Sequence, residues 1–135
     1  STRKMAEAVC RGLTLGGVRN IRLHDVSRVH LSYLVRDAWR FQGLALGSCT
    51  YEMGLFPAMK TFVELLQEKK LMNRTLGIFG SFGWTGGSVK DLKSFVDKSG
   101  WSLVEPLVEV KCSPDGKELE QCIQLGANLA RAVSA

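Results

Sequence analysis

The sequence predicts an α/β fold organised on a parallel sheet, and three observations support that class. Short apolar runs alternate with longer segments of helical period along most of the chain. Two of the runs lead into loops rich in glycine, serine and aromatic residues, as strand-to-helix turns at a ligand-binding sheet edge do. Hydrophobic residues make up 45% and charged residues 23% of 135, enough apolar material for one core and ordinary for a globular chain.

In chain order, Met5, Val9 and Leu13 recur at helical spacing, and Gly16-Gly17 stops that first helix. Thr2 suits its N-cap. Val18 to Val26 reads as a strand, with Ile21 and Leu23 on one face. Ser27 opens a second helix carrying Leu31, Leu34, Val35 and Ala38, with Trp39 at its end. Phe41 to Gly47 is a short apolar run, Gln42 apart, and suits a strand buried on both faces. Ser48 to Gly54 is expected to be a polar and aromatic loop. Pro57 then suits the first turn of a helix running to Lys70.

Arg74 to Gly80 is the next strand, and the helix Val89 to Val96 ends at Ser99-Gly100. Leu103 to Val110 is extended, and Pro106 within it favours a sheet edge. Ser113-Pro114-Asp115 caps a last helix bearing Leu119, Cys122, Ile123, Leu129 and Val133. The expected order is a helix followed by strand–helix repeated. A chain of this type is expected to open with a strand, and here it opens at the tip of the first strand-to-helix loop.

Composition and motifs narrow the chemistry. The net charge of +5 is spread along the chain, and only Arg3-Lys4 and Lys69-Lys70 are adjacent cations. A nucleic-acid binder would concentrate them. No apolar run reaches membrane-spanning length and no signal peptide opens the chain, so a soluble cytoplasmic protein is expected, without nucleic-acid or membrane partners. Cysteines at 10, 49, 112 and 122 form no Cys-x-x-Cys pair, and neither His24 nor His30 lies at zinc-finger spacing. Cys10, Cys112 and Cys122 read as small buried hydrophobes, whereas Cys49 sits in a loop. No metal site and no catalytic triad or carboxylate pair is expected.

The stretch Gly80-Ser81-Phe82-Gly83-Trp84-Thr85-Gly86-Gly87 is the centre of the chain. Its glycines admit close approach of backbone N–H groups, and its aromatics are unusual for a plain turn. Taken alone, it equally suits a turn with both rings in the core. Three loops should share one sheet edge: Ser1-Thr2, Ser48 to Gly54, and Ser81 to Gly87. A helix N-terminus with hydroxyls, facing two aromatic loops, suits a planar cofactor that bears a phosphate.

On these residues the chain resembles the flavodoxin-like domain of flavodiiron proteins, also called A-type flavoproteins. The resemblance rests on Ser1-Thr2-Arg3-Lys4-Met5-Ala6-Glu7-Ala8, Gly47-Ser48-Cys49-Thr50-Tyr51, Gly54-Leu55-Phe56-Pro57 and the stretch from Gly80 to Gly87. It implies a three-layer sandwich with a parallel sheet of order 2-1-3-4-5, the first strand missing from this chain. Residues 1–135 then form a single domain, a C-terminal piece of a longer protein.

The resemblance also implies FMN as cofactor. Ser1 and Thr2 match the end of the phosphate loop. Ser48, Cys49, Thr50, Tyr51, Glu52 and Gly54 fall in the second flavin loop, and Ser81, Phe82, Gly83, Trp84, Gly86 and Gly87 in the third. Cys49 stands where the family usually has proline, Glu52 where it has asparagine, and Phe82 where it has tyrosine. The implied role is one-electron transfer to a di-iron, metallo-β-lactamase-like domain that reduces oxygen or nitric oxide. That domain belongs to the same protein, in a neighbouring subunit of a homo-oligomer, and the donor is rubredoxin or a reductase. The competing readings are a flavin-free structural or interaction module and a stand-alone NAD(P)H-dependent flavin reductase.

Overall fold

The computed structural model of the protein describes residues 2–84 and 86–134. Its elements are α1 (Thr2–Leu15), α2 (Leu31–Arg40), β1 (Gly43–Tyr51), β2 (Gly54–Leu55), α3 (Pro57–Glu68), β3 (Thr75–Phe82), α4 (Ser88–Ser99), β4 (Ser102–Lys111) and α5 (Gly116–Ser134). The sheet order is β2-β1-β3-β4, with β1, β3 and β4 parallel and the short β2 antiparallel to β1.

The period of two in the strands builds three layers. Leu46, Leu76 and Ile78 point to one face, where Leu34, Phe62, Leu66, Leu92 and Phe95 of α2, α3 and α4 cover them. Phe79, Val108 and Val110 point to the other, against Met5 and Val9 of α1 and Cys122 and Leu125 of α5. Residues around Pro106 slip the β3–β4 register between Gly77 and Phe79, after which the alternation resumes. As expected for a proline-bearing strand, β4 lies at the edge of the sheet.

Local chemistry sets the helix ends. Asp115 Oδ1 accepts the Glu118 backbone N–H at 2.7 Å, and Glu118 Oε1 accepts the Asp115 N–H at 3.1 Å, a reciprocal cap at the start of α5. Gly100 ends α4 in the left-handed region at φ 71°. Helices α1 and α5 approach closely because neither has a side chain at the crossing. A Cβ at Gly12 would overlap the Ile123 carbonyl, and one at Gly126 would overlap that of Val9.

Three expectations need correction. Val18 to Val26 forms no strand; the segment between α1 and α2 is irregular. Its alternation is genuine, but a strand needs a neighbour for its ladder. The β1 edge on that side is unpaired over Gly43–Cys49 among the described residues. A cavity of about 700 Å³ lies there instead, lined by Ile21, Leu23, Leu44, Leu46, Leu129 and Val133 among others. Second, Ser48 to Tyr51 continues β1, and the chain then turns through Glu52-Met53 into β2 as a tight hairpin. Third, Cys112 is exposed at the end of β4, at φ 62°, and Cys10 is half-buried; only Cys122 is fully buried.

Candidate functional site at the carboxyl edge of the sheet

β1 and β3 run parallel in register, with Cys49 opposite Ser81, so their carboxyl ends finish side by side. The N-terminus of α1 meets them there. Thr2 Oγ1 lies 2.8 Å from Ser81 Oγ, across 79 residues of sequence. This contact brings the first of the three predicted loops to the tip of β3. Ser1 and Thr85 lie outside the described residues.

The other two loops are fastened to each other. The Thr50 hydroxyl donates to Ser88 Oγ at 3.2 Å, and the Ser88 hydroxyl donates to the Ser48 carbonyl at 3.0 Å. Ser48 Oγ accepts the Phe56 N–H at 3.1 Å. A Cβ at Gly87 would overlap the Met53 carbonyl, so the loop after β3 packs directly on the hairpin.

The predicted site residues therefore divide into two kinds. Ser48 and Ser81 are buried and act as structural links, and Gly87 is a packing residue. Gly54 and Gly86 pack against carboxylates: their Cβ atoms would come within 2.8 Å of Asp91 Oδ2 and 2.9 Å of Glu109 Oε1. Gly83 differs, since a Cβ there would meet nothing within 4 Å. The aromatics point outward. Trp84 is 93% exposed and Tyr51 50%, although Tyr51 also packs edge-on against Phe56 with ring centroids 6.3 Å apart. Phe82 is half-buried, while Cys49 and Glu52 are exposed. The core alternative for the aromatic motif thus fails for Trp84.

Sequence reasoning missed Ser88, Asp91 and Glu109. In sequence Ser88 and Asp91 look like ordinary first-turn helix residues, and Glu109 is one outward position of an edge strand. Only their partners across the fold reveal a role.

The electrostatics at α1 suit an anion. Its first turn has no acidic residue and carries Arg3 and Lys4 beside the free N–H groups. Cations there oppose the helix dipole, a cost that a bound anion offsets. Arg3 also pairs with Glu7 at 3.1 Å on the surface. The cavity beside β1 reaches this rim at Thr2, Arg3, Ser48 and Cys49, whereas Tyr51 and Trp84 stand outside it. Among the described residues no helix is long and apolar enough to cross a membrane.

The donor set suits FMN. Hydroxyls and a helix N-terminus suit a phosphate, and the exposed Trp84, the half-exposed Tyr51 and the open backbone at Gly83 suit a flat ring system.

A family profile described as flavodoxin matches residues 1–126. An anaerobic nitric oxide reductase flavorubredoxin from Aeromonas hydrophila is 29% identical over 133 residues, covering 97% of this chain. This chain spans only 26% of that relative, about a quarter of its length. A rubredoxin oxygen:oxidoreductase from the anaerobe Desulfovibrio gigas superimposes with a TM-score of 0.94 at 27% identity, over 99% of this chain and 33% of its own. A flavodoxin from the domain Archaea superimposes at 0.86 and 24% identity, over 99% of this chain and 91% of its own, and shows the shared fold. Flavodoxins hold FMN at a switch point on the carboxyl edge of such a sheet. By the profile match across nearly its whole length, and by an architecture that agrees with it, the chain belongs to the flavodoxin family.

Proposed function

We propose that this chain is an FMN-binding electron-transfer domain, a one-electron carrier feeding a di-iron domain that reduces oxygen or nitric oxide. The observation that carries the reading is the Thr2–Ser81 contact, which joins an anion-binding helix start to the strand that bears the aromatic loop. Bound FMN would supply reversible one-electron chemistry that no side chain here has.

The chain's own residues bind, orient and tune. The N–H groups of the first turn of α1, with the Thr2 hydroxyl, would hold the phosphate, and Ser81 fixes that hydroxyl. Arg3 and Lys4 add positive field. Tyr51, Phe82 and Trp84 would pack at or near the ring and exclude water. The exposed carboxylate of Glu52, if beside the ring, would disfavour added negative charge on it and lower its potential.

In this reading residues 1–135 are one domain of a longer protein. Its partners are a metallo-β-lactamase-like di-iron domain in a neighbouring subunit and a donor such as rubredoxin or a reductase. The similarity to a flavorubredoxin and to a rubredoxin oxygen:oxidoreductase supports that assignment.

The test is to mix the purified protein with FMN and desalt it. A retained flavin spectrum at near-stoichiometric ratio is expected. Loss of all flavin would overturn the carrier reading in favour of an interaction module. Rapid bleaching by NAD(P)H alone would overturn it in favour of a flavin reductase.

A further inference from the structure

The hairpin between β1 and β2 is held from outside. Its two turn residues, Glu52 and Met53, have φ of 46° and 68°, a left-handed conformation that glycine and asparagine adopt readily and Glu and Met do not. Such a turn persists only where its surroundings enforce it. Here the first turn of α4 enforces it. Ser88, fully buried, bonds both Thr50 and the Ser48 carbonyl, and its own N–H donates to Thr50 Oγ1 at 3.2 Å. Three residues on, Asp91 Oδ2 accepts the Leu55 N–H at 3.2 Å, on the same helical face. Just before them, at the N-cap of α4, Gly87 seats against Met53. One helical turn thus grips both strands of the hairpin and is itself the end of the loop that bears Trp84.

We infer that the first turn of α4 is a clasp on the hairpin that carries Tyr51, with Ser88 and Asp91 as positioning residues for the planar cofactor. This inference rests on the FMN reading above. Neither side chain needs to touch the ring. Each removes freedom from a loop that would otherwise have to be ordered when the cofactor binds, so its contribution appears in affinity. No buried side-chain polar atom among the described residues lacks a partner, so a deletion at Ser88 leaves the Ser48 carbonyl and the Thr50 hydroxyl short.

The experiment compares Ser88→Ala, Asp91→Ala, Asp91→Asn and, as a remote control on α4, Asp97→Ala. FMN affinity is read by quenching of flavin fluorescence. Exchange of the Leu55 amide proton is read by NMR in flavin-free protein. Loss of the buried Ser88 bond, or of the part-buried, charge-assisted Asp91 bond, should weaken FMN binding about tenfold in Ser88→Ala and Asp91→Ala. Asp97→Ala should match wild type. Asp91→Asn keeps an oxygen for the Leu55 N–H and should recover affinity to within about threefold, which a purely charge-based role for Asp91 would not allow.

The Leu55 amide should exchange at least about tenfold faster in Asp91→Ala than in wild type. Unchanged exchange there overturns the clasp. Unchanged FMN affinity in both alanine variants overturns its link to the cofactor, as does failure of Asp91→Asn to rescue. If wild-type protein binds no FMN, the carrier reading falls and with it the cofactor link, while the exchange data still decide whether the clasp exists.

Discussion

Replacing Trp84 with alanine separates a ligand-contact role from a folding role. The indole is 93% exposed, so the flavin-free fold buries almost none of it. Its removal should change the stability of the flavin-free protein by less than about 0.5 kcal/mol, as for other surface substitutions. The bound state is different. An aromatic side chain buries roughly 150–250 Å² when fully covered, and a flat ring laid on one face covers about half of that. Roughly 100 Å² at about 25 cal/mol per Å² gives about 2.5 kcal/mol, or a loss of affinity of about seventyfold. Urea unfolding of the flavin-free variant and an FMN titration measure the two quantities separately. Trp84→Phe should recover most of the affinity. An affinity within twofold of wild type would refute the contact, and a stability loss above about 1 kcal/mol would show that the indole serves the fold.

Three further outcomes are expected. Glu52→Asn should raise stability by about 0.5 kcal/mol, because asparagine tolerates φ of 46° better than glutamate. It should also shift the potential of the FMN-loaded protein upward by removing a carboxylate, and a downward shift in a redox titration would contradict this. At neutral pH, Ellman's reagent should modify the exposed Cys49 and Cys112 and spare Cys122, whose thiol burial pushes up to about 11. FMN should protect Cys49 and leave Cys112 reactive, and equal protection of both would argue against the proposed site. Finally, the hydrogen bond from His24, at 2.6 Å, and a second from Arg36 hold the Asp37 carboxyl below its ordinary 3.8 despite its burial. Its folded-state value is depressed, so its stabilisation is present above 3.8 and is lost as pH falls through the folded-state value. Asp37→Asn should be less stable than wild type at pH 7, and the two should converge in urea midpoint as pH falls below 3.8 and through the folded-state value.

Much of the fold was legible from local pattern. The apolar run at Leu76 to Phe79, the helical spacing of Val89, Leu92, Phe95 and Val96, and the Asp115 cap each specify an element without reference to anything distant. Pro106 announced an edge strand because its ring nitrogen has no proton for a ladder. The glycine- and aromatic-rich loops after β1 and β3 marked the candidate rim for a similar reason, since their composition is costly anywhere but beside a ligand or another backbone.

What the chain's sequence could not decide depends on neighbours. Ile21 and Leu23 alternate as a strand should, yet a strand is a pairwise structure, and with an unpaired β1 edge beside it the segment stays irregular. Ser48 to Tyr51 reads as loop by composition but is drawn into β1, where Cys49 pairs in register with Ser81. Cys112 looks buried by residue type, but β4 ends at the surface. Most of all, Ser88 and Asp91 carry no local mark. Their hydroxyl and carboxylate gain meaning only because the parallel crossover returns α4 against the hairpin, 38 and 36 residues after Thr50 and Leu55. Local pattern thus settled which segments form helices and picked out the loops proposed to face the cofactor. Long-range packing decided how those loops are held, because the bonds that hold them join residues distant in the chain.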